Sequence, residues 1–278
     1  MKLGVIDVGG GVRGSYGAGV FDFCMDRGID FDYGIGVSAG SANFVSYMAG
    51  QRGRTYRFYT EYTFRPQYMG LGNFIRTRNF IGLDYIYTDL SASWGEDPLD
   101  FDLVLKSGKE FWVVATNAET GEPIYFDGCK EMSQDDYGAI KGSCCVPVVN
   151  QPYMVNGIPC YDGGISDPVP LKKAFEDGCD HVVLVLTRPR DDYRTAKKDI
   201  RMARFMRKYP KSRERMATRS LVYNEGLDLA KELEAEGKVT IIAPADISGM
   251  KTLTKDRDAI ARLYSDGYED AKVLEEFL

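Results

Sequence analysis

The chain has 278 residues, of which 44% are hydrophobic and 27% charged, a composition that excludes low-complexity, fibrous and disordered proteins. Its net charge of −6 at pH 7 argues against a protein whose whole surface binds nucleic acid. It has one histidine, His181, and no C-x-x-C pair, so no zinc site is expected.

The first predicted unit is a strand, a glycine-rich turn and a helix. Residues 3–8 form a short apolar run typical of a buried strand, and residues 15–26 are predicted to be a helix. In the turn between them, Gly9, Gly11 and Gly14 have the G-x-G-x-x-G spacing. The backbone N–H groups of such a turn bind either the pyrophosphate of a dinucleotide or an oxyanion formed during a reaction. The motif alone leaves both interpretations open.

The second predicted unit places a serine on a sharp turn. Residues 31–37 are predicted to form a strand and residues 39–49 a helix, and Ser38 stands between them in "GVSAG", which matches G-x-S-x-G. Gly36 and Gly40 let the chain turn without a side chain crowding the hydroxyl group. Ser38 is therefore predicted to be a nucleophile at the carboxyl edge of the sheet, and the alternative is a serine that caps the helix.

The remaining elements also alternate between strands and helices. Strands are predicted at residues 110–116, 181–187 and 238–243, with 122–127 as a hairpin partner, and helices at 221–236 and 257–277. This alternation predicts an α/β fold with a mostly parallel central sheet that helices cover on both faces.

The domain organisation follows from the same pattern. We expect one domain over residues 1–278, with a core at about 1–189 and an extension of helices and a strand at about 190–278. Residues 52–82 and 188–219 do not fit the alternation and are interpreted as insertions that cap one end of the sheet.

A serine nucleophile needs a base, and the sequence favours a carboxylate. His181 begins its predicted strand, whereas catalytic groups in open α/β sheets gather beyond the carboxyl ends of the strands. Asp162 stands out because Gly163 and Gly164 follow it directly in "YDGG" and suit a tight turn. Asp162 is therefore predicted to be the base, and the alternative is an ordinary Asp-Gly turn on the surface.

Positive charge is concentrated between Arg188 and Arg219. This segment has 13 Lys and Arg against four Asp and Glu, a net charge of +9, so the rest of the chain has a net charge of −15. An apolar stripe with helical spacing, flanked by arginines, is predicted within it and consists of Met202, Phe205, Met206 and Tyr209. The segment either contacts an anionic membrane surface or packs on the acidic remainder as a cap helix.

The sequence also predicts a cytoplasmic protein, with any membrane contact peripheral and at the inner face. No apolar stretch approaches the roughly 20 residues that span a bilayer, and the first strand follows Lys2 too closely for a signal peptide. The cysteines lack the spacing of a secreted disulfide framework and are expected to be small buried side chains. They are Cys24, Cys129, Cys144, Cys145, Cys160 and Cys179.

Three motifs together resemble the patatin-like phospholipase family, and the C-terminal part is similar to a bacterial branch of it. The resemblance extends from the first strand to about Pro189 and rests on the serine turn from Gly36 to Gly40, on Asp162-Gly163-Gly164 and on a glycine-rich block. That block is Gly9, Gly10, Gly11, Val12, Arg13 and Gly14. Asp167 stands where family members commonly have Asn, and residues 52–82 are unusually aromatic.

The resemblance implies a hydrolase of phospholipids or other lipid esters that works with a Ser-Asp dyad and no cofactor. Ser38 would attack the ester, Asp162 would accept the serine proton, and the N–H groups of Gly10 and Gly11 would hold the oxyanion. Because an aspartate with a pKa of about 3.9 is a weak base, the site is expected to be partly desolvated. Arg13 would orient the turn, meet a lipid phosphate or form a surface ion pair.

Two other classes of function remain open at this point. A dinucleotide-binding oxidoreductase would have an acidic residue at the end of the second strand, whereas Asp30 and Asp32 lie at its beginning. A non-catalytic module that binds lipid or protein on the same fold has the same motifs as the enzyme. The sequence predicts no nucleic-acid partner and gives no oligomeric state.

Overall fold

The structure, a computed structural model, describes residues 1–277, and its centre is one sheet of eight strands. The strands are β1 (Leu3–Asp7), β2 (Tyr33–Val37), β3 (Glu110–Asn117), β4 (Pro123–Asp127), β5 (Tyr153–Val155), β6 (Ile158–Asp162), β7 (His181–Val185) and β8 (Val239–Ile242). Strands β3, β2, β1, β7 and β8 run parallel in that order, and β4, β5 and β6 add antiparallel pairs beyond β3. The predicted α/β fold with a mostly parallel sheet is confirmed.

Helices cover both faces of this sheet. They are α1 (Ser15–Arg27), α2 (Ala39–Met48), α3 (Arg54–Thr60), α4 (Leu71–Thr77), α5 (Phe101–Lys106), α6 (Gly138–Ser143), α7 (Leu171–Glu176), α8 (Ala196–Ala203), α9 (Pro210–Ala235) and α10 (Arg257–Asp270). Successive strand residues point to opposite faces, so Val5 packs in one buried cluster and Ile6 in the other. Helices α1, α2 and α10 cover the first face, whereas α7 and α9 cover the second.

Strand β3 brings two distant parts of the sequence together. Its first residues pair with β2, ending with Val114 opposite Val37, and its last residues pair with β6, with Ala115 opposite Asp162. Because β4 pairs with β3 from Trp112 to Thr116, it occupies the other side of β3. Strand β6 therefore continues along the side of β3 where β2 ends, which places Asp162 beside the residue that follows β2.

The prediction of one helical apolar stripe at residues 202–209 is wrong. Helix α8 ends at Ala203, and α9 begins only at Pro210. A residue before proline is disfavoured in the helical region by a steric clash, and Tyr209 indeed has φ −123° and ψ 84°. In the intervening turn Met206 is buried, whereas Phe205 is 68% exposed. Proline at the first position also explains why α9 starts eleven residues before the predicted residue 221.

The C-terminal helix α10 packs directly on α1. A Cβ atom added to Gly19 of α1 would lie 2.0 Å from the carbonyl oxygen of Tyr264, and one added to Gly267 of α10 would lie 2.0 Å from that of Tyr16. The two backbones are therefore in contact at both glycines, with no room for a side chain. The predicted helix over 257–277 ends at Asp270, and a 3-10 helix, Ala271–Phe277, follows it.

Two further expectations from the sequence concern burial and membrane spans. Five of the six cysteines are buried as predicted, Cys129 is partly exposed, and all six are free thiols. Within residues 1–277, no helix is both long enough and apolar enough to cross a bilayer.

Candidate active site

Ser38 lies on a strained turn at the carboxyl end of β2. Its φ of 56° and ψ of −128° are unusual for a residue with a side chain, and α2 begins at the next residue. The flanking glycines are required by close approaches: a Cβ on Gly40 would lie 2.1 Å from the carbonyl oxygen of Asp7, and one on Gly36 would lie 2.3 Å from the Cα of Ser41. The strand, strained serine and helix have the arrangement of a nucleophile elbow.

A second serine, Ser143, holds this turn through a buried hydrogen bond. The Ser38 N–H donates a hydrogen bond to Ser143 Oγ at 2.8 Å, and the Ser143 hydroxyl donates to the carbonyl oxygen of Val114 at 2.5 Å. Ser143 is completely buried at the end of α6. Sequence analysis missed this residue because nothing in the segment around it has a recognisable motif.

Asp162 lies at the end of β6, next to the serine turn. Its carboxylate accepts a hydrogen bond from the Gly164 N–H at 2.8 Å, and a Cβ on Gly163 would lie 2.2 Å from the carbonyl oxygen of Val114. Burial raises the pKa of Asp162 above its usual value, against the smaller opposing effects of the Arg219 charge, the nearby Ser38 hydroxyl and the Gly164 N–H. The desolvation expected for a carboxylate base is thus present.

The glycine turn after β1 approaches the serine turn closely. Gly9, Gly10 and Gly11 have φ values of 61°, 136° and 61°, which favour glycine at all three positions. A Cβ on Gly9 would lie 2.2 Å from the carbonyl oxygen of Val37. The Val12 N–H donates to Thr252 at 3.0 Å, whereas in the described part of the chain no protein acceptor pairs with the N–H of Gly10 or Gly11. These two donors remain available to a ligand.

Asp7, at the end of β1, braces the glycine turn from inside the protein. Its carboxylate accepts hydrogen bonds from the Gly9 N–H and from Asn43 Nδ2, each at 2.8 Å. The same Asn43 nitrogen donates to the carbonyl oxygen of Gly14 at 2.9 Å, and Tyr59 donates to Asn43 Oδ1 at 3.1 Å. Complete burial raises the pKa of Asp7 to about 6. Neither Asp7 nor Asn43 was selected from the sequence.

Two cavities of different character meet at Ser38. One has a volume of about 70 Å³ and is lined mostly by apolar and aromatic side chains, among them Phe58, Tyr59, Met69 and Ile86, together with the buried Arg54. The other has a volume of about 530 Å³ and is lined by Asp162 and by a group of cations. We call the first the apolar cavity and the second the cationic cavity. Gly11 lines both cavities and Gly10 lines the cationic one.

The structure decides between some of the earlier interpretations. The surface ion pair considered for Arg13 is wrong, because Arg13 is only 7% exposed and has no acidic partner within residues 1–277.

His181 pairs with Leu3 at the amino-terminal edge of the sheet, opposite to Ser38. Its ring nitrogens lie 3.1 Å from the carbonyl oxygen of Gly237 and 2.9 Å from Thr240 Oγ1. Across the described residues, no cluster of His, Cys, Asp or Glu has the arrangement of a metal site.

Comparisons with known proteins find a matching family and a similar fold. The profile of a family described as patatin-like phospholipase matches residues 8–175, and that of a domain of unknown function (DUF6363) matches residues 209–276. The uncharacterized protein YjjU of Escherichia coli K12 is 30% identical over 210 residues, which are 74% of this chain but only 57% of YjjU. The crystal structure of VipD from Legionella pneumophila has 16% sequence identity and a TM-score of 0.50, over 99% of this chain and 67% of VipD.

Proposed function

Because the chain belongs to the patatin-like phospholipase family, we propose that it hydrolyses acyl esters of lipids with Ser38 as nucleophile and Asp162 as general base. The observation that carries this proposal is the meeting of a strained Ser38 and a desolvated Asp162 at the junction of two cavities. The apolar cavity would receive the acyl chain, and the cationic cavity the polar part of the substrate.

The proposed reaction has two stages. Ser38 Oγ attacks the ester carbonyl carbon while its proton passes to Asp162, and the N–H groups of Gly10 and Gly11 stabilise the negative charge on the carbonyl oxygen. The intermediate then expels the alcohol, which takes the proton from Asp162. A water molecule, deprotonated by the same carboxylate, then attacks the acyl-enzyme; the acyl–Oγ bond breaks, Asp162 returns the proton to Ser38 Oγ, and the acid is released.

The raised pKa of Asp162 supports its role as a base. A carboxylate that holds its proton more tightly than free aspartate is a stronger proton acceptor, since the efficiency of a base increases as its pKa approaches the working pH. Arg219 and the Gly164 N–H limit this increase, because a nearby positive charge and a donated hydrogen bond both favour the ionised carboxylate.

The test combines covalent labelling with matched variants. A fluorophosphonate should label the wild type at Ser38 alone, and Ser38→Ala and Asp162→Asn should each abolish ester hydrolysis, with far less than additive losses in the double variant. Asp167→Asn is the matched control: it removes another half-buried carboxylate, which accepts a hydrogen bond from Tyr125, and should remain active. Substantial hydrolysis by folded Ser38→Ala would refute the mechanism, and an unlabelled wild type would favour a binding module.

We also propose that the protein acts in the cytoplasm at an anionic membrane surface. The turn between α8 and α9 supports this, because Phe205 is exposed there between Arg204 and Arg207, and Met202 before it lines the cationic cavity. In a sedimentation assay, binding of the protein to anionic liposomes should weaken as the salt concentration rises, and it should be lost when Arg204 and Arg207 are changed to Glu. If the folded wild type stays in the supernatant at low salt, the turn is only a structural cap.

A further inference from the structure

The cationic cavity contains more positive charge than its own side chains neutralise. Five cations line it, and only three carboxylates accompany them. The cations are Arg13, Arg188, Arg194, Lys198 and Arg219, and the carboxylates are Asp162, Asp192 and Asp199. Asp192 is engaged by Arg188 in an ion pair of 2.5 Å. Two positive charges therefore remain in excess even when all three carboxylates are ionised.

Three of the guanidinium groups have buried nitrogens that lack partners. The Nε atoms of Arg13, Arg194 and Arg219 are inaccessible to solvent and have no hydrogen-bond partner. The nearest carboxylate oxygen to Arg219, on Asp199, is 4.0 Å away, at the limit of an ion pair. Because a buried guanidinium without a partner is unfavourable, these groups are suited to an anion that comes from outside the chain.

Contacts within the protein hold these arginines in place. The Arg194 guanidinium stacks on the ring of Tyr223 at 3.9 Å, and Asn224 binds both the N–H and the carbonyl oxygen of Arg194, at 2.8 and 3.0 Å. A Cβ on Gly10 would lie 3.1 Å from Arg13 Nη2, so the Arg13 guanidinium lies against the glycine turn. A Cβ on Gly164 would lie 3.8 Å from Arg219 Nη2. The cluster is thus preorganised around the junction of the two cavities.

Burial and, to a smaller extent, mutual repulsion disfavour the charged forms of these cations. Burial and the neighbouring arginines lower the pKa of Arg13 to about 10 and that of Arg194 to about 9. The pKa of Lys198 is lowered by burial and by the charges of Arg13 and Arg219. A bound anion would relieve this repulsion.

We propose that these arginines form a subsite for a phosphomonoester, and that the preferred substrate is therefore an acyl ester with a terminal phosphate group. This inference rests on the proposed hydrolase function. A phosphomonoester has a charge of about −1.5 to −2 at pH 7, which matches the excess of two cations, and its oxygens accept the paired N–H groups of guanidinium. A choline head group would bring a cation into a cavity that already has too many.

The kinetic test compares two substrates with the same acyl chain, lysophosphatidic acid and monoacylglycerol. Both use the same nucleophile and base, so the ratio of their kcat/KM values reports the phosphate contacts alone. Arg194→Gln should lower the preference for lysophosphatidic acid roughly tenfold or more, as expected for the loss of a charged hydrogen bond. Lys198→Gln, at an exposed position, should also lower the preference for lysophosphatidic acid. This second variant tests the subsite if Arg194→Gln fails to fold.

The matched control is Arg215→Gln, one turn before Arg219 on α9. Arg215 binds Glu122 at 2.8 Å and does not line the cationic cavity, so its loss should leave the ratio unchanged. An equal effect of Arg215→Gln, or a wild type that hydrolyses both esters equally well, would overturn the inference while leaving the hydrolase function intact.

A binding measurement separates the inference from the hydrolase function. Calorimetric titration of Ser38→Ala with lysophosphatidic acid should show binding that weakens in the Ser38→Ala/Arg194→Gln double variant. If this holds but the wild type hydrolyses neither ester, the subsite stands and the proposed reaction is refuted. If only inorganic phosphate binds in an Arg194-dependent manner, free phosphate rather than a head group is the ligand, and the substrate assignment is overturned.

Discussion

Replacing Asp7 with asparagine should change how the stability of the protein depends on pH. Asp7 is completely buried, and its pKa is raised from 3.8 to about 6 because burial disfavours the charged form more than its two hydrogen bonds favour it. The amide of the introduced asparagine would keep one oxygen to accept the Gly9 N–H but would never ionise. The substitution thus removes the buried charge and leaves most of the local geometry.

The magnitude follows from the difference between the folded and unfolded pKa values. A rise of about 2.2 units at 1.36 kcal/mol per unit gives about 3 kcal/mol. Because the folded pKa of Asp7 is the higher one, the folded state binds the proton more tightly. Its contribution to stability is complete below pH 3.8 and is lost as the pH rises through about 6. At neutral pH the ionised Asp7 therefore destabilises the fold, and we infer that it is retained to hold the glycine turn.

Urea unfolding of the wild type and Asp7→Asn from pH 4.5 to pH 8 measures this effect. The wild type should lose about 2 kcal/mol relative to the variant over that interval, which contains most of the titration. The altered hydrogen bond with Asn43 changes the stability of the variant by the same amount at every pH, so it does not affect how the difference from the wild type varies with pH. Asp258→Asn, which removes an exposed carboxylate from α10, is the matched control. A difference between wild type and Asp7→Asn that does not vary with pH would refute the reasoning.

Four other predictions follow from the site. Gly9→Ala should destabilise the protein by on the order of 3 kcal/mol or more in urea unfolding, because its Cβ would lie 2.2 Å from a carbonyl oxygen at a φ of 61°. Ser143→Ala should lower kcat and cost about 1–3 kcal/mol of stability, since the N–H of the nucleophile loses its buried acceptor; unchanged kinetics would argue against positioning. His181→Gln should retain most activity in an ester assay, and a folded but inactive variant would restore a histidine mechanism. The Arg219 cation lowers the pKa of Asp162 in the wild type, so Arg219→Gln should raise that pKa and move the acid limb of the kcat/KM profile to higher pH. An unmoved acid limb would exclude this coupling.

Much of the fold could be predicted from the sequence because its elements have strong local signals. The apolar runs at β1, β2, β3 and β7 lie within a few residues of their predicted positions, and the hairpin partner β4 was also predicted correctly. The stripe at residues 202–209 failed because a periodic apolar pattern says nothing about a proline just beyond it. There the local restriction on Tyr209 was stronger than the pattern.

The candidate site was predictable only where its residues form short motifs. Ser38 and Asp162 are each followed by a glycine within two residues and occur in a recognisable order. Ser143, Asn43 and Arg194 have no such context, since their roles arise from side chains that approach across the fold. The excess of basic residues at 188–219 was visible in the sequence, but its position beside Ser38 was not.

The glycine contacts between α1 and α10 affect how this protein can have changed during evolution. The two matched families divide the chain between residues 175 and 209, as two modules that recombination exchanges would do. Yet Gly19 and Gly267 join the backbones of both modules without an intervening side chain. A chimera with residues 209–277 from a relative should therefore fold only if that relative also has glycine at the position of Gly267. A change at one of these two contacts therefore restricts what the other can accept.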